Sequence, residues 1–243
     1  MKAVILAAGI ASRLRPLTDH QPKCLLEIGG KCLLERAISG LLANGIHEII
    51  IVTGYLQEQI VSFVNTRFPH LHPEFIFNEK YASTNNIYSL WLAKEKMQGN
   101  EILLLDSDIL FDPHLVKALL DSPAANCLAL NNHPLSEEEI KVIPDNDGWV
   151  KEISKTCSIQ NAIGESIGLE KMSPSYITAL LKELDQMILK EKLVNIFYEA
   201  AFERLIAKNQ KFGIVDTTTL FSIELDTVED FNMAVERIPQ HLL

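Results

Sequence analysis

A run of small residues, Leu6-Ala7-Ala8-Gly9-Ile10-Ala11-Ser12, leads directly into Arg13, and Pro22-Lys23 follows shortly after. Small side chains let a backbone approach a ligand closely, and successive N–H groups can cradle phosphate oxygens. Arg13 adds a planar fork suited to phosphate, and Lys23 adds a point charge. A tight turn of small residues needs no ligand on its own, but two cations at this spacing favour an anion site. The run contains neither GxxxxGK[ST] nor GxGxxG, so it is neither a P-loop nor a dinucleotide fingerprint.

A second constellation is acidic. Asp106-Ser107-Asp108 ends an apolar run, and Asp226 ends another near Ser222–Leu225. Two carboxylates at a strand end are costly unless a cation or hydrogen bonds compensate. Mg²⁺ favours one or two carboxylates together with phosphate oxygens. Strand alternation would put Asp106 and Asp108 on one face. From spacing alone two readings stand: a metal pair, or Asp108 as a turn residue before Asp112-Pro113 and Asp226-Thr227 as the cap of a last helix.

These residues need elements to hold them. Ala3–Ala7 and Ile102–Leu105 are short apolar runs that read as buried strands, and Glu48–Thr53 and Glu74–Phe77 read as strands between helices. Cys32–Ala43 has helical apolar periodicity with Gly45 beyond its end. Gln57–Asn65 and Asn85–Met97 also read as helices, the latter capped by Ser83 or Thr84. Asp112-Pro113 and Ser173-Pro174 each open a helix. Alternating strands and helices predict a Rossmann-like, doubly wound α/β fold with a mostly parallel sheet, whose ligands bind beyond the strands' carboxyl ends. The second half predicts a mixed α+β extension: a hairpin turning at Asp145–Gly148, a helix over Asn195–Ala207, the late strand Ser222–Leu225 and a helix over Thr227–Arg237. Tyr88, Leu90 and Trp91 read as core residues on a helix face. With no linker or repeat, we expect one domain, a nucleotide-binding lobe over 1–132 and an acceptor-binding lobe over 133–243.

The chain is 47% hydrophobic and 22% charged, which suits a globular protein with a sizeable core. No run reaches the ~18 apolar residues of a membrane span, and Met1–Gly9 is too short for a signal peptide. The expectation is a cytoplasmic protein with no membrane partner. Net charge is −10, which argues against nucleic acid as a partner. Yet residues 1–36 hold Lys2, Arg13, Arg15, Lys23, Lys31 and Arg36 against Asp19, Glu27 and Glu35, a local basic excess that suits a confined anion site. Cys24, Cys32, Cys127 and Cys157 form no CxxC pair and read as buried free thiols; the seven His form no ligand pattern.

The stretch LAAGIASRLRPLTDHQPKCLLEIGGKCLLE resembles the N-terminal motif of the nucleotidyltransferases that make nucleotide sugars and CDP-choline. Ala11 stands where that family commonly has Gly, and Cys32 where it has Pro; neither departure removes a charge. Phe77-Asn78-Glu79-Lys80-Tyr81 and Thr84-Asn85-Asn86-Ile87-Tyr88 are similar to the bacterial phosphocholine and aminoethylphosphonate cytidylyltransferases, as are later stretches around Lys155, Glu165, Tyr198-Glu199 and Glu224-Leu225-Asp226.

The resemblance implies transfer of a nucleoside monophosphate, CMP from CTP, to a small phosphorylated acceptor such as phosphocholine, with Mg²⁺ and release of pyrophosphate. It makes Asp108 and Asp226 the metal ligands, with Asp106 secondary, and Arg13, Lys23 and Asp108 the catalytic set. Nucleotide binding falls to Leu6, Ala8, Gly9, Ile10, Ala11, Ser12, Arg13, Lys23, Asn78, Thr84, Asn85, Asn86 and Asp106. Lys155, Glu165, Tyr198 and Glu199 are expected at the acceptor, with Tyr198 and Glu199 at a cationic head. Ser222 stands where relatives often have Trp, which favours a smaller head group. A phosphate monoester has its second pKa near ~6, so the nucleophile is already charged and no general base is needed. The alternatives are a sugar-1-phosphate nucleotidyltransferase using UTP, dTTP or GTP, and an inactive nucleotide sensor on the same fold.

Overall fold

The computed structural model describes residues 1–243. Lys2–Ala7 forms β1, and all but its first residue are buried, as an apolar run covered on both faces should be. The hairpin β2 (Glu27–Ile28) and β3 (Lys31–Cys32) leads into α1 (Leu33–Ala43), β4 (Ile49–Thr53), α2 (Gln57–Arg67) and β5 (Glu74–Phe77). Then come α3 (Asn86–Leu92), α4 (Lys94–Met97), β6 (Ile102–Asp106), β7 (Ile109–Phe111), α5 (His114–Asp121) and β8 (Cys127–Asn131). The second half adds β9 (Lys141–Pro144), β10 (Val150–Ser154), β11 (Gly164–Met172), α6 (Pro174–Asp185), α7 (Glu199–Ala207), β12 (Gly213–Asp216), β13 (Ser222–Glu224) and α8 (Val228–Arg237).

The fold is the expected α/β Rossmann-like one. Its central block, β6-β1-β4-β5, is parallel, with Val4 paired to both Ile50 and Leu104. Antiparallel β11 extends the sheet beyond β6, and β9 and β10 continue it as the hairpin read around Asp145–Gly148. Alternation splits the core in two. Val4, Leu6, Ile50 and Val52 face α3, α6 and α7 through Leu90, Ile177 and Phe202. Ala3, Ile5, Ile49 and Ile51 face α1, α2 and α5 through Ile38, Ile60 and Leu119. Leu104 is 0% exposed, so Leu104→Ala would cost about 2–5 kcal/mol.

Two helices differ from expectation. The pattern over Asn85–Met97 breaks at Ala93 into α3 and α4, and its cap is Asn85, whose side chain accepts from the Asn86 N–H. Thr84 cannot cap because its hydroxyl already bonds Asn78 and the Lys80 carbonyl. The helix expected from Asn195 begins only at Glu199, because the Tyr198 N–H is drawn to the Asn86 side-chain oxygen at 2.9 Å. All four cysteines are buried and free. No helix is long and apolar enough to cross a membrane.

Candidate active site

Strands β1 and β6 are neighbours, so their carboxyl ends deliver Ala8-Gly9 and Asp106-Ser107-Asp108 to one edge of the sheet. The cleft there is lined by Leu6, Ala8, Gly9, Ala11, Arg13 and Lys23 on one side. Ala11 adopts φ 52°, a left-handed backbone that glycine takes without strain, which gives a physical reason for the Gly common at this place in similar sequences. Ile10 and Ser12 do not line the cleft, so any contact they make there is through the backbone of the turn.

The opposite wall comes from the far end of the chain. β13 pairs antiparallel with β7, which places Glu224 opposite Ile109, and the Leu225 N–H donates to the Asp108 carbonyl at 3.0 Å. Asp226 is thereby brought beside Asp108. Thr227, not Asp226, caps α8, in a capping box with Asp230. Asp112, not Asp108, accepts from the first free N–H of α5, that of His114. Both acidic residues are therefore released from capping and turn into the cleft.

There they meet Lys23. Its ammonium lies 3.0 Å from Asp108 Oδ2 and 2.9 Å from Asp226 Oδ1, with only 12% of the side chain exposed. Burial works against the Lys23 charge, but Asp108 and Asp226 outweigh it and hold its pKa above the ordinary lysine range. Arg13 Nη2 reaches Asp226 Oδ2 at 2.5 Å. Burial pushes the Asp226 carboxyl up, and Lys23 and Arg13 more than reverse it, leaving it below its usual range.

Glu224 is a member the sequence reading missed. Its carboxylate and those of Asp108 and Asp226 supply oxygens all within 4.8 Å of one another. Burial, then Asp108 and Asp226, raise its pKa well above the usual range. The signal was available: residues i and i+2 of a strand share a face, so Glu224 accompanies Asp226. Asp108 Oδ1 is buried and has no hydrogen-bond partner. Three clustered carboxylates, one with an orphaned oxygen, are a donor set that suits a hard divalent cation.

Asn78, Thr84, Asn85 and Asn86 also line the cleft. Asn78 is used internally: its amide nitrogen donates to Thr84 and Ser89 at 3.1 Å each, and its oxygen accepts from the Lys80 N–H at 2.9 Å. The oxygens of Asn85 and Asn86 are likewise engaged, whereas their amide nitrogens carry no hydrogen bond.

At the acceptor end the outcome is mixed. Lys155 and Glu199 line the cleft. Glu199 Oε2 is buried without a partner, and burial pushes its carboxyl up to about 7. Tyr198 does not line the cleft: its ring is fully buried against Phe202, and its hydroxyl bonds Asp106 and Glu170. The late start of α7 is the cause, and it leaves Phe197, 40% exposed, on the wall instead, with the Lys155 ammonium 4.8 Å from its ring centre. Glu165 also lies off the cleft, bound to His133 Nε2 at 2.8 Å. Sequence reasoning missed Glu138 too. It reaches over the mouth to Arg13 at 3.5 Å and Lys155 at 3.7 Å.

Cations beside a turn of small residues, facing clustered carboxylates at the carboxyl edge of a Rossmann-like sheet, are an arrangement suited to a bound anion together with a divalent cation. Residues 2–129 match the nucleotidyl transferase family, and the chain belongs to it. It is 27% identical to the CTP:phosphoglutamine cytidylyltransferase of Campylobacter jejuni over 98% of this chain and 100% of that one. It is 42% identical to the choline-phosphate cytidylyltransferase of Streptococcus pneumoniae over 44% of this chain and 45% of that one. The structure of the CTP:phosphocholine cytidylyltransferase of Streptococcus pneumoniae superposes with a TM-score of 0.80 at 26% identity, covering 98% of this chain and 99% of that one.

Proposed function

We propose that this nucleotidyltransferase moves CMP from CTP to a small phosphorylated acceptor bearing a cationic nitrogen, with Mg²⁺ as cofactor and pyrophosphate as the leaving product. The observation that carries the reading is the Lys23–Asp108–Asp226 cluster with Arg13 beside it. Asp108, Asp226 and Glu224 would hold Mg²⁺, which when bound supplies positive charge against the reacting phosphates.

The chain's own residues do the rest by positioning and charge. The Ala8–Ala11 turn presents backbone N–H groups to the triphosphate. Lys23 stabilises the negative charge that grows at the α-phosphorus during attack, and Arg13 holds the departing pyrophosphate. Lys155 binds the acceptor phosphate, whose oxygen is the nucleophile. The free amide nitrogens of Asn85 and Asn86 are donors, which matches the two acceptors on a cytosine edge, O2 and N3, whereas uracil offers an N–H at N3.

Glu199 and Phe197 suit a cationic head: one supplies a carboxylate, the other an aromatic face worth ~0.5–2 kcal/mol to a cation. The relatives' acceptors, phosphoglutamine, choline phosphate and 2-aminoethylphosphonate, share a nitrogen-bearing head. In this reading residues 1–132 serve the nucleotide and 133–243 the acceptor, except that Glu224 and Asp226 reach back to the metal.

The test is pyrophosphate release across four triphosphates and a panel of acceptors, with and without Mg²⁺. We expect CTP and amine-bearing phosphates or phosphonates to be turned over only with the metal. Equal turnover of sugar 1-phosphates with UTP, dTTP or GTP would replace this reading with that one. Binding of a triphosphate without turnover of any acceptor would leave only a sensor.

A further inference from the structure

Three cationic side chains line the cleft: Arg13, Lys23 and Lys155. Arg13 and Lys23 sit on Asp226 and Asp108, at the place proposed for the triphosphate and its metal. Lys155 alone remains for the acceptor, and the acceptor's phosphate takes it. Every other charged residue on the cleft wall is an acid. Two of these stand at the acceptor end. Glu138 lies 3.7 Å from Lys155 across the mouth, and Glu199 is on the wall.

A carboxylate on the acceptor would therefore find no cation. Backbone donors do not replace one. α7 begins at this wall, but the Tyr198 N–H is engaged by Asn86, and the N–H groups of Ala200 and Ala201 by the carbonyls of Phe197 and Tyr198. Beside Glu138 and Glu199 an acceptor carboxylate would be unpaired and repelled, the kind of penalty that builds specificity.

Glu199 sets a second requirement. It is 5% exposed, and its Oε2 is buried with no hydrogen-bond partner. Buried polar atoms are seldom left so. Ionised, Oε2 needs an N–H or O–H from whatever enters; protonated, it needs an acceptor. A quaternary nitrogen presents only C–H groups and meets neither need. An ammonium with hydrogens on nitrogen meets the first, and its charge favours the ionised acid. Quaternary ammonium groups are otherwise held in cages of aromatic faces. This cleft has two aromatic side chains, Tyr81 and Phe197. Tyr81 stands with Asn78 on the nucleotide side, its ring against that of Tyr55. Phe197 is thus alone at the acceptor end, and its face already carries the Lys155 ammonium at 4.8 Å. Because Lys155 packs on Phe197, two residues before Glu199, the linker between the acceptor's phosphate and its nitrogen is short.

We propose that the acceptor is a short aminoalkyl phosphate or phosphonate whose nitrogen keeps its hydrogens and which carries no carboxylate, with Glu199 selecting for the N–H groups. This rests on reading the cleft as a cytidylyl-transfer site for a cationic acceptor. Three matched compounds test it. 2-Aminoethyl phosphate has the proposed groups, phosphocholine replaces its N–H groups by methyls, and phosphoserine adds one carboxylate. Calorimetry on the whole protein, with Mg²⁺ and a CTP analogue bearing a methylene bridge between its α- and β-phosphates, reads binding without transfer. 2-Aminoethyl phosphate should bind at least about tenfold more tightly than either of the others, the scale of one buried polar group left unpaired. Glu199→Gln should remove its lead over phosphocholine. Phosphocholine or phosphoserine binding as tightly as 2-aminoethyl phosphate overturns the proposal and leaves the transferase reading standing, as does an undiminished lead over phosphocholine in Glu199→Gln. Preference for glucose 1-phosphate over all three, or no binding of any of the three, overturns the acceptor reading itself and this proposal with it.

Discussion

Lys23 and Asp226 stand 203 residues apart in the chain, yet their charged atoms lie 2.9 Å apart, with the ammonium also touching Asp108. The contact makes Lys23 an internal competitor for the oxygens proposed to hold Mg²⁺. A divalent ion and an ammonium cannot share those oxygens at full strength, so metal binding must move Lys23 away, toward the phosphates it would serve.

Lys23→Met should therefore separate two effects. Without nucleotide, the variant should bind Mn²⁺ more tightly than the wild type, because the carboxylates are freed. With substrates, kcat should fall roughly a hundredfold or more, as when one transition-state donor is lost, with a smaller change in KM for the triphosphate. Titration of free Mn²⁺ checks the first effect and steady-state kinetics the second. Weaker Mn²⁺ binding in the variant would show that Lys23 supports the metal site and does not compete for it.

Asp108→Asn and Asp226→Asn should each nearly abolish transfer while leaving the far-ultraviolet dichroism intact, since the amide keeps the size and loses the charge. The double variant should be little worse than either single one if both side chains hold one ion. Additive losses would point to separate tasks. Glu224→Gln should raise the Mg²⁺ concentration required, by a smaller factor.

What the sequence disclosed follows from how local each signal is. Arg13 and Lys23 sit ten residues apart in the one loop that follows β1, and Asp108 and Asp226 each lie two residues past the end of a strand, so their types and positions were readable. Glu224 was also readable by strand alternation with Asp226. Phe197 and Tyr198 were not, because their facing depends on where α7 begins, and a tertiary hydrogen bond from Tyr198 to Asn86 sets that point.

Glu138 spans the mouth of the cleft to Arg13 and Lys155, two cations that the proposed substrates need. Its loop is held by Lys141, a fully buried side chain whose ammonium meets the carbonyls of Ser136, Glu137 and Glu139. An anionic substrate must displace the Glu138 carboxylate. Glu138→Gln should then lower KM for the acceptor about two- to threefold at low salt, in line with the ~0.2–1 kcal/mol of an exposed pair, and the gain should fade as salt screens it. A raised KM would mean that Glu138 helps to bind the acceptor.

Gly168→Ala should be damaging out of proportion to one methyl group. The backbone is left-handed there, and the new Cβ would press on Asp106 Oδ2. A loss of about 1–3 kcal/mol in denaturant unfolding is expected, together with weaker triphosphate binding. Unchanged stability would show that β11 can relax away from Asp106.

Glu199 shows binding capacity bought at a cost in stability. It is 5% exposed, Oε2 has no partner, and burial raises its carboxyl to about 7 from an ordinary 4.5. A folded-state pKa above the unfolded one favours the folded protein only below the unfolded value, and that advantage is lost as pH rises through the folded one. The wild type should thus lose stability between about pH 4.5 and 7, by up to roughly 3 kcal/mol at about 1.4 kcal/mol per pKa unit. Glu199→Gln, which mimics the neutral acid, should match the wild type in melting temperature near pH 4 and exceed it at pH 8. The cost should return as affinity, because ionised Glu199 attracts a cationic head beside Phe197. KM for an amine-bearing acceptor should fall as pH rises through 7 in the wild type and stay high and flat in the Gln variant, with KM for CTP nearly unchanged. Identical pH profiles for the two proteins, in melting and in acceptor KM, would remove Glu199 from the acceptor site.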